Sequence, residues 1–228
     1  MPAAAATTLL LVPTPLEASR LDELGPLGGR GVARQLCGFG PVASAARTAG
    51  LLERLAPTRV LLVGIAGTYD EGRLPVGAAA WFEEVALEGV GAGEGARRLS
   101  PSALGLPQWP GDGASAPPVY ERLALQGPLE LAHAARSLLV SACSAAATED
   151  DLAARLELHP EAAAEDMEAF GVALACRLAR VPLCVVRGIS NRAGDRHAAR
   201  WRVPQALAAA RELALEVLER AGAWDEPR

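Results

Sequence analysis

Asp166 and Glu168 flank Met167, and some twenty residues later Arg187, Ser190, Asn191, Arg192 and Asp195 crowd into one short stretch. Paired carboxyl groups can divide base work from charge stabilisation, while amide and guanidinium donors can hold a base edge or an anion. Asp166-Met167-Glu168 opens an apolar run in which Met167, Phe170, Leu174 and Leu178 recur at helical spacing. Pro182 stops that helix, and Leu183 to Val186 is a short β-branched strand. The polar cluster therefore follows the carboxyl end of a strand, which is where ligands sit in open α/β sheets. Acidic groups at a helix start also complement the helix dipole. On these residues alone, capping explains Asp166 and Glu168 before catalysis does.

The remaining elements must bring partners to this stretch. Thr8 to Val12 is a wholly apolar strand and so belongs inside a sheet. After Pro13-Thr14-Pro15, a short helix from Leu16 to Leu24 carries Glu17 just past that strand's carboxyl end, where a solvent-facing helix-start carboxylate is also ordinary. Val32 to Leu36 reads as a hairpin strand. Gly38 and Gly40 permit a tight turn into a helix that ends at Leu55. Arg59 to Val63 is a buried strand ending in Gly64-Ile65-Ala66-Gly67-Thr68, which reads either as an N–H-lined nest or as a plain turn.

Ala78 to Glu88 continues as strand, and residues 89–118, rich in Gly, Pro and Ser, read as a surface loop or a lid. Leu138 to Ala142 is a further strand, followed by Ala145, Ala146 and a helix from Leu152 to Leu158 capped at Thr148. Pro204 to Ala221 is an amphipathic closing helix, and Ala223 to Arg228 is frayed. Strands alternating with helices imply a three-layer α/β/α sandwich with a mixed central sheet, in one domain spanning 1–228.

Bulk properties narrow the function classes. The 228 residues are 50% hydrophobic, enough to bury a full core. Net charge is −5 with Arg scattered, so no nucleic-acid footprint shows. Cys37, Cys143, Cys176 and Cys184 have no metal spacing, and the apolar runs around three of them fit reduced, buried thiols. With only His133, His159 and His197, a His-rich metal site is not supported. The start MPAAAATTLLLV lacks a basic segment and meets Pro13 and Pro15, unlike a signal peptide. No apolar run reaches membrane-spanning length. A cytoplasmic protein without cofactor, nucleic-acid or membrane partner is expected.

DMEAFGVA followed by VVRGISN resembles the purine nucleoside phosphorylase and nucleosidase superfamily, which carries an (E/D)-M-E-(A/G) segment and then a strand ending in Ser-Asp or Ser-Asn. PLEA around Glu17, the Gly38-x-Gly40 turn and the Gly64 to Thr68 segment resemble further pieces of it, so the likeness covers nearly the whole chain. The VRGISN variant with its following DR…RW is most similar to the superfamily's futalosine-cleaving branch. The resemblance implies a phosphorylase/hydrolase-like fold, a homo-oligomer, and cleavage of a purine N-glycosidic bond. Glu17 would activate water, while Glu168, with Asp166 and Met167, would hold the ribose. Ala66, Gly67, Ala145, Ala146 and Ser190 would line the substrate, with Trp201 the favoured contact beyond the ribose.

Asn191 is the discriminating residue. Adenine-cleaving relatives carry Asp there, which would set acceptor against acceptor at a 6-oxopurine, whereas an amide offers a donor to O6 and N7. Hypoxanthine is thus expected as leaving group, its proton arriving through water or Asp195. A plain turn residue remains the bland alternative for Asn191. Arg192, Arg196 and Arg200 could meet a carboxylate at the far end of the substrate, or be solvated. Alternatives are a methylthioadenosine/adenosylhomocysteine nucleosidase, a phosphorylase, or a non-catalytic nucleoside-binding protein.

Overall fold

The first strand is buried at every position, and the reason lies in its neighbours. The computed structural model describes residues 8–113, 116–128, 131 and 137–220. Its elements are β1 (Thr8–Val12), α1 (Pro15–Glu23), β2 (Val32–Leu36), α2 (Pro41–Leu55), β3 (Arg59–Thr68), β4 (Ala79–Trp81), β5 (Glu84–Glu88), α3 (Pro101–Leu104), β6 (Arg122–Ala124), β7 (Leu138–Ala142), α4 (Glu149–Leu158), β8 (Ala162–Asp166), α5 (Ala169–Ala179), β9 (Leu183–Arg192) and α6 (Val203–Glu219). The strands form one mixed sheet in the order β2-β1-β3-β8-β7-β5-β6, with β9 paired to β3 and β4 off that path. Among the described residues no helix is long and apolar enough to cross a membrane.

Helices cover both faces, so alternate residues of the central strands enter different cores. Leu9, Leu11, Val60, Leu62, Leu183 and Val185 pack with Leu51 of α2 and Phe170 of α5. Leu10, Val12, Leu61, Val63, Cys184 and Val186 pack with Leu21 of α1 and Leu207, Leu213 and Val217 of α6. This is the expected three-layer α/β/α sandwich.

Several boundaries differ from the sequence expectation. β9 does not stop at Val186: it continues to Arg192 in parallel register with β3. Arg187, Ser190 and Asn191 therefore stand inside a strand. β4 pairs with β9 as far as Gly188, and beyond it β3 alone carries the strand, with a register shift that leaves Ser190 unpaired and Asn191 opposite Gly67; this pairing overrides the weak strand preference of Gly and Asn. Gly188 is required there, because a Cβ would lie 1.9 Å from the Ala206 carbonyl oxygen of α6.

Gly64 to Thr68 is likewise strand, not a turn or nest. Neither Gly64 nor Gly67 has positive φ; Gly64 instead leaves room for the side chains of Arg187 and Glu17. Val32 to Leu36 pairs parallel with β1, not as a hairpin. Ala78 to Glu88 is broken by Phe82 and Glu83 into β4 and β5. The Ala-rich segment before Met167 is β8, held between β3 and β7, and α5 begins only at Ala169. α4 starts at Glu149, with the expected Thr148 cap.

Residues 89–118 include an isolated bridge between Ala92 and Leu99, the short α3, and a second bridge between Trp109 and Val119. His133, Ala221 and Ala223 to Arg228 lie outside the described residues.

Candidate active site

Thr14 and Glu17 form a capping box at the start of α1. Such a box satisfies two orphan N–H groups of the first helical turn, and here it also aims a carboxylate. Glu17 Oε2 accepts from the Thr14 amide at 3.0 Å and the Thr14 hydroxyl at 2.6 Å, while Oε1 accepts from the Ile65 amide at 3.0 Å. The side chain is buried, not solvent-facing, yet it lines a cavity of about 620 Å³. The bland role and the aimed role coexist in one residue.

Arg187 lies wholly buried beside it. Its Nε donates to Asp166 Oδ2 at 3.0 Å, Nη2 donates to the same oxygen, and Nη2 stands 3.5 Å from Glu168 Oε2. Nη1 has no hydrogen-bond partner among the described residues and occupies the side of Gly64, where an added Cβ would be 2.2 Å from it and 2.7 Å from Glu17 Oε1. One guanidinium thus serves three carboxyl groups. A buried charge needs such pairing, because desolvation otherwise outweighs any single contact.

Asp166 is saturated. Besides Arg187, it accepts from the Ser141 hydroxyl and the Ala169 amide. Although it borders the cavity, its carboxylate has no accessible surface for a substrate. Its side chain positions Arg187 and the start of α5.

Glu168 precedes α5 and meets the far end of another helix. Its Oε1 accepts from the Gly40 amide at 3.1 Å, at the positive end of α2. Gly40 has φ 82°, a backbone that glycine adopts without strain. Ser44 of α2 donates to the Glu168 carbonyl at 3.1 Å, locking the backbone as well. Burial pushes the Glu168 carboxyl up to about 7, with the charges of Asp166 and Glu17 adding to the rise and Arg187 and the Gly40 amide opposing it. Burial also drives the neighbouring Cys37 thiol up to about 12.

The opposite wall is built around an amide. Asn191 Oδ1 accepts from the Ser190 hydroxyl at 2.7 Å, and Nδ2 donates to the Arg192 carbonyl at 2.8 Å. Those partners assign the amide's orientation. They leave a second N–H on Nδ2, since an amide nitrogen carries two. Ser190 also donates to the Ala66 carbonyl at 3.3 Å.

Ala145 lines the cavity, but Ala146 does not. The Ala146 amide is spent on Glu165 Oε1 at 2.9 Å, which corrects its assignment as a substrate contact. Glu165 is completed by the Tyr69 hydroxyl at 3.0 Å and by Arg155.

Trp201 closes the mouth, its indole N–H donating to the Asp195 carbonyl at 2.9 Å. Asp195 itself does not line the cavity. Its carboxylate accepts from the His197 amide and faces Arg200, so a proton-transfer role has no support in the geometry. Arg20, one helical turn beyond Glu17, pairs with Glu23 on the surface.

Of the residues singled out from sequence, Glu17, Ala66, Gly67, Ala145, Asp166, Met167, Glu168, Ser190, Asn191 and Trp201 line this one cavity. Residues 89–118 contribute none of its lining; Trp109 and Pro117 border a separate cavity of about 660 Å³ against Leu125 and Arg177. Arg187, Glu165 and Tyr69 went unassigned, because their partners lie far off in sequence. The Thr14-x-x-Glu17 pattern, a capping-box signature, was the legible signal for the placement of Glu17. Among the described residues no three metal-ligating side chains converge.

Residues 21–222 match the model of the phosphorylase superfamily. A futalosine hydrolase of Thermus thermophilus is 33% identical, with the match covering 96% of this chain and 99% of that one. One from Streptomyces coelicolor is 51% identical over 53 residues, 23% of each chain. A 5′-methylthioadenosine/S-adenosylhomocysteine nucleosidase of Colwellia psychrerythraea is 30% identical over 75% of this chain and 70% of its own. A solved structure of a 5′-methylthioadenosine/S-adenosylhomocysteine nucleosidase from Colwellia psychrerythraea in complex with adenine superimposes over 100% of this chain and 99% of that one at a TM-score of 0.75 and 22% identity.

Proposed function

Since the chain belongs to the phosphorylase superfamily, we propose that it hydrolyses the N-glycosidic bond of futalosine, releasing hypoxanthine and dehypoxanthine futalosine for menaquinone biosynthesis. The chain is an N-glycosidase of purine nucleosides, and the relatives named futalosine hydrolase support this choice of nucleoside. A cytoplasmic homo-oligomer is part of the same reading.

The observation that carries the base preference is the bonding of Asn191. With Oδ1 held by Ser190 and one N–H held by Arg192, the free N–H suits the O6 and N7 acceptors of a 6-oxopurine. An unprotonated Asp at this position would set an oxygen against the Arg192 carbonyl, which is a repulsive pair of acceptors.

The chemistry follows from the opposite wall. The bond from C1′ to N9 breaks through an oxocarbenium-like sugar. Glu17 takes a proton from the attacking water as the new C1′–oxygen bond forms. Arg187, wholly buried behind this wall, holds the carboxyl groups in place and does not reach the cavity. Ionised Glu168 accepts from ribose hydroxyls, and Met167 packs against the sugar. The departing base is protonated by solvent, since Asn191 cannot act as an acid and Asp195 faces away.

Hydrolysis is favoured over phosphorolysis because Arg196 supplies the only guanidinium among the described cavity-lining residues, and it stands at Trp201. The test is product analysis on futalosine, inosine and methylthioadenosine, each with and without phosphate. Phosphate-independent hypoxanthine release from futalosine is expected. Phosphate-dependent formation of a sugar 1-phosphate would make the enzyme a phosphorylase, and adenine release would overturn the role of Asn191.

A further inference from the structure

The segment between β7 and α4 is anchored at both ends without help from its middle. The Cys143 amide donates to the Glu88 carbonyl of β5 at 3.1 Å, and the Ala147 and Thr148 amides both donate to Asp151 Oδ2 at 3.0 Å. Ser144 and Ala145, between these anchors, line the cavity. The turn after Asn191 runs beside them. Arg192 pairs with Glu149 at the start of α4, and a Cβ on Gly194 would stand 3.4 Å from the Thr148 carbonyl oxygen. The middle of the segment therefore borders the place proposed for the base.

What fixes that middle is a buried network. Glu165 Oε1 accepts from the Ala146 amide at 2.9 Å. Arg155 forks, donating through Nη1 to Glu165 Oε2 and through Nη2 to the Ser144 carbonyl at 2.9 Å. The Tyr69 hydroxyl, from the residue following β3, donates to Glu165 Oε2 at 3.0 Å. Tyr69 and Glu165 are both buried. Burial, with the Glu165 charge adding to it, pushes the Tyr69 phenol well above its usual range, which keeps it a donor. One carboxylate and one guanidinium thus hold an N–H and a C=O of the same short segment. Charge-assisted bonds of this kind are the strong ones. Helix capping needs none of them, since Thr148 and Asp151 already complete the start of α4.

We infer that Glu165, held by Tyr69 and Arg155, is a positioning residue for the base: it sets the backbone of residues 144–147 as the wall against which the leaving purine lies. This rests on the reading of the cavity as a nucleosidase site with the base at Asn191. Such a wall meets the base alike before and during bond cleavage, so its loss appears in KM and in binding of the free base while kcat is kept. Glu165→Gln is the sharpest change. An amide has one acceptor oxygen, so its N–H must confront either the Ala146 amide or the Arg155 guanidinium.

The experiment measures kcat and KM on futalosine, and the inhibition constant of free hypoxanthine, in wild type, Glu165→Gln and Tyr69→Phe. In Glu165→Gln, KM and the hypoxanthine constant should both rise by roughly 10-fold with kcat within about 3-fold of wild type, the scale of a lost hydrogen bond to a charged group. Tyr69→Phe should show the same split at smaller size. It keeps the ring packed with Leu152 and Ala193, and so carries the test if Glu165→Gln does not fold. A network that merely stabilises the fold would lower the melting temperature and leave both constants unchanged. That result, or a loss confined to kcat, would overturn the inference and leave the nucleosidase reading intact. Release of no base from futalosine by wild type would instead sink the proposed function, and the inference with it.

Discussion

Arg187 and Arg196 belong to the same strand and the loop that leaves it, yet their surroundings are opposite. Arg187 is wholly buried, bonded to Asp166, close to Glu168 and adjacent to Glu17. Arg196 is exposed, stacked on Trp201, and has no ion-pair partner among the described residues. The first arrangement is preorganised: charges are fixed before a substrate arrives, in surroundings where they act strongly. The second is exposed to solvent and oriented by its stack on the indole. The proposed chemistry thus falls to the floor of the cavity, where the charges are fixed, and not to its mouth.

Breaking the floor should have the largest effects. Glu17→Gln and Glu168→Gln should each lower kcat by about 10²–10⁴-fold, the usual span for general-base and charge-stabilising groups. Steady-state hypoxanthine release measures this, and near-wild-type turnover in either variant would contradict the assigned roles. Arg187→Met leaves Asp166 and Glu168 buried without their counter-ion. It should cost about 3–5 kcal/mol of stability by denaturant unfolding, as losing one partner of a buried pair does.

The protonation of Glu168 sharpens the comparison. With its carboxyl pushed up to about 7, kcat/KM should climb with pH through that region, because ribose hydroxyls need the ionised form. Stability should move the other way. The folded state holds this proton between the ordinary carboxyl value of 4.5 and about 7, whereas the unfolded chain has released it. Stability therefore falls as pH rises across that window. The melting temperature of Glu168→Gln relative to wild type should increase from pH 5 to pH 8, even though the variant is catalytically impaired. A difference independent of pH would contradict the assignment. At the surface, Arg192→Ala removes the exposed pair with Glu149 and should leave both melting temperature and kcat/KM at wild-type values.

The sequence made the layers legible because wholly apolar runs such as Leu9 to Val12 can only be covered strands. It made most of the cavity legible because DMEAFGVA and VRGISN carry a recognisable pattern. Three features escaped for physical reasons. Gly64 and Gly67 read as turn residues, but both lie in a strand without positive φ, and Gly64 marks the close approach of the Arg187 and Glu17 side chains, a use of strand glycine that no local signal separates from a turn. The sequence reading opens the helix at Asp166 and assigns nothing to the alanines before it, whereas Ala162 to Asp166 is strand because β3 and β7 pair with it. Asp166 and Arg187 look like cavity residues in the chain, yet their partners saturate the first and bury the second. Such partnerships are set by the sheet order and are invisible to spacing.

The central claim is that Asn191 reads a 6-oxopurine, and the most direct measurement is the ratio of kcat/KM for an inosine-type over an adenosine-type nucleoside with the same 5′ group, in wild type and Asn191→Asp. The account predicts a wild-type ratio well above one that drops by about 10-fold or more in the variant, as expected when a charge-bearing acceptor replaces a neutral donor. An unchanged ratio would remove Asn191 as the reader of the base.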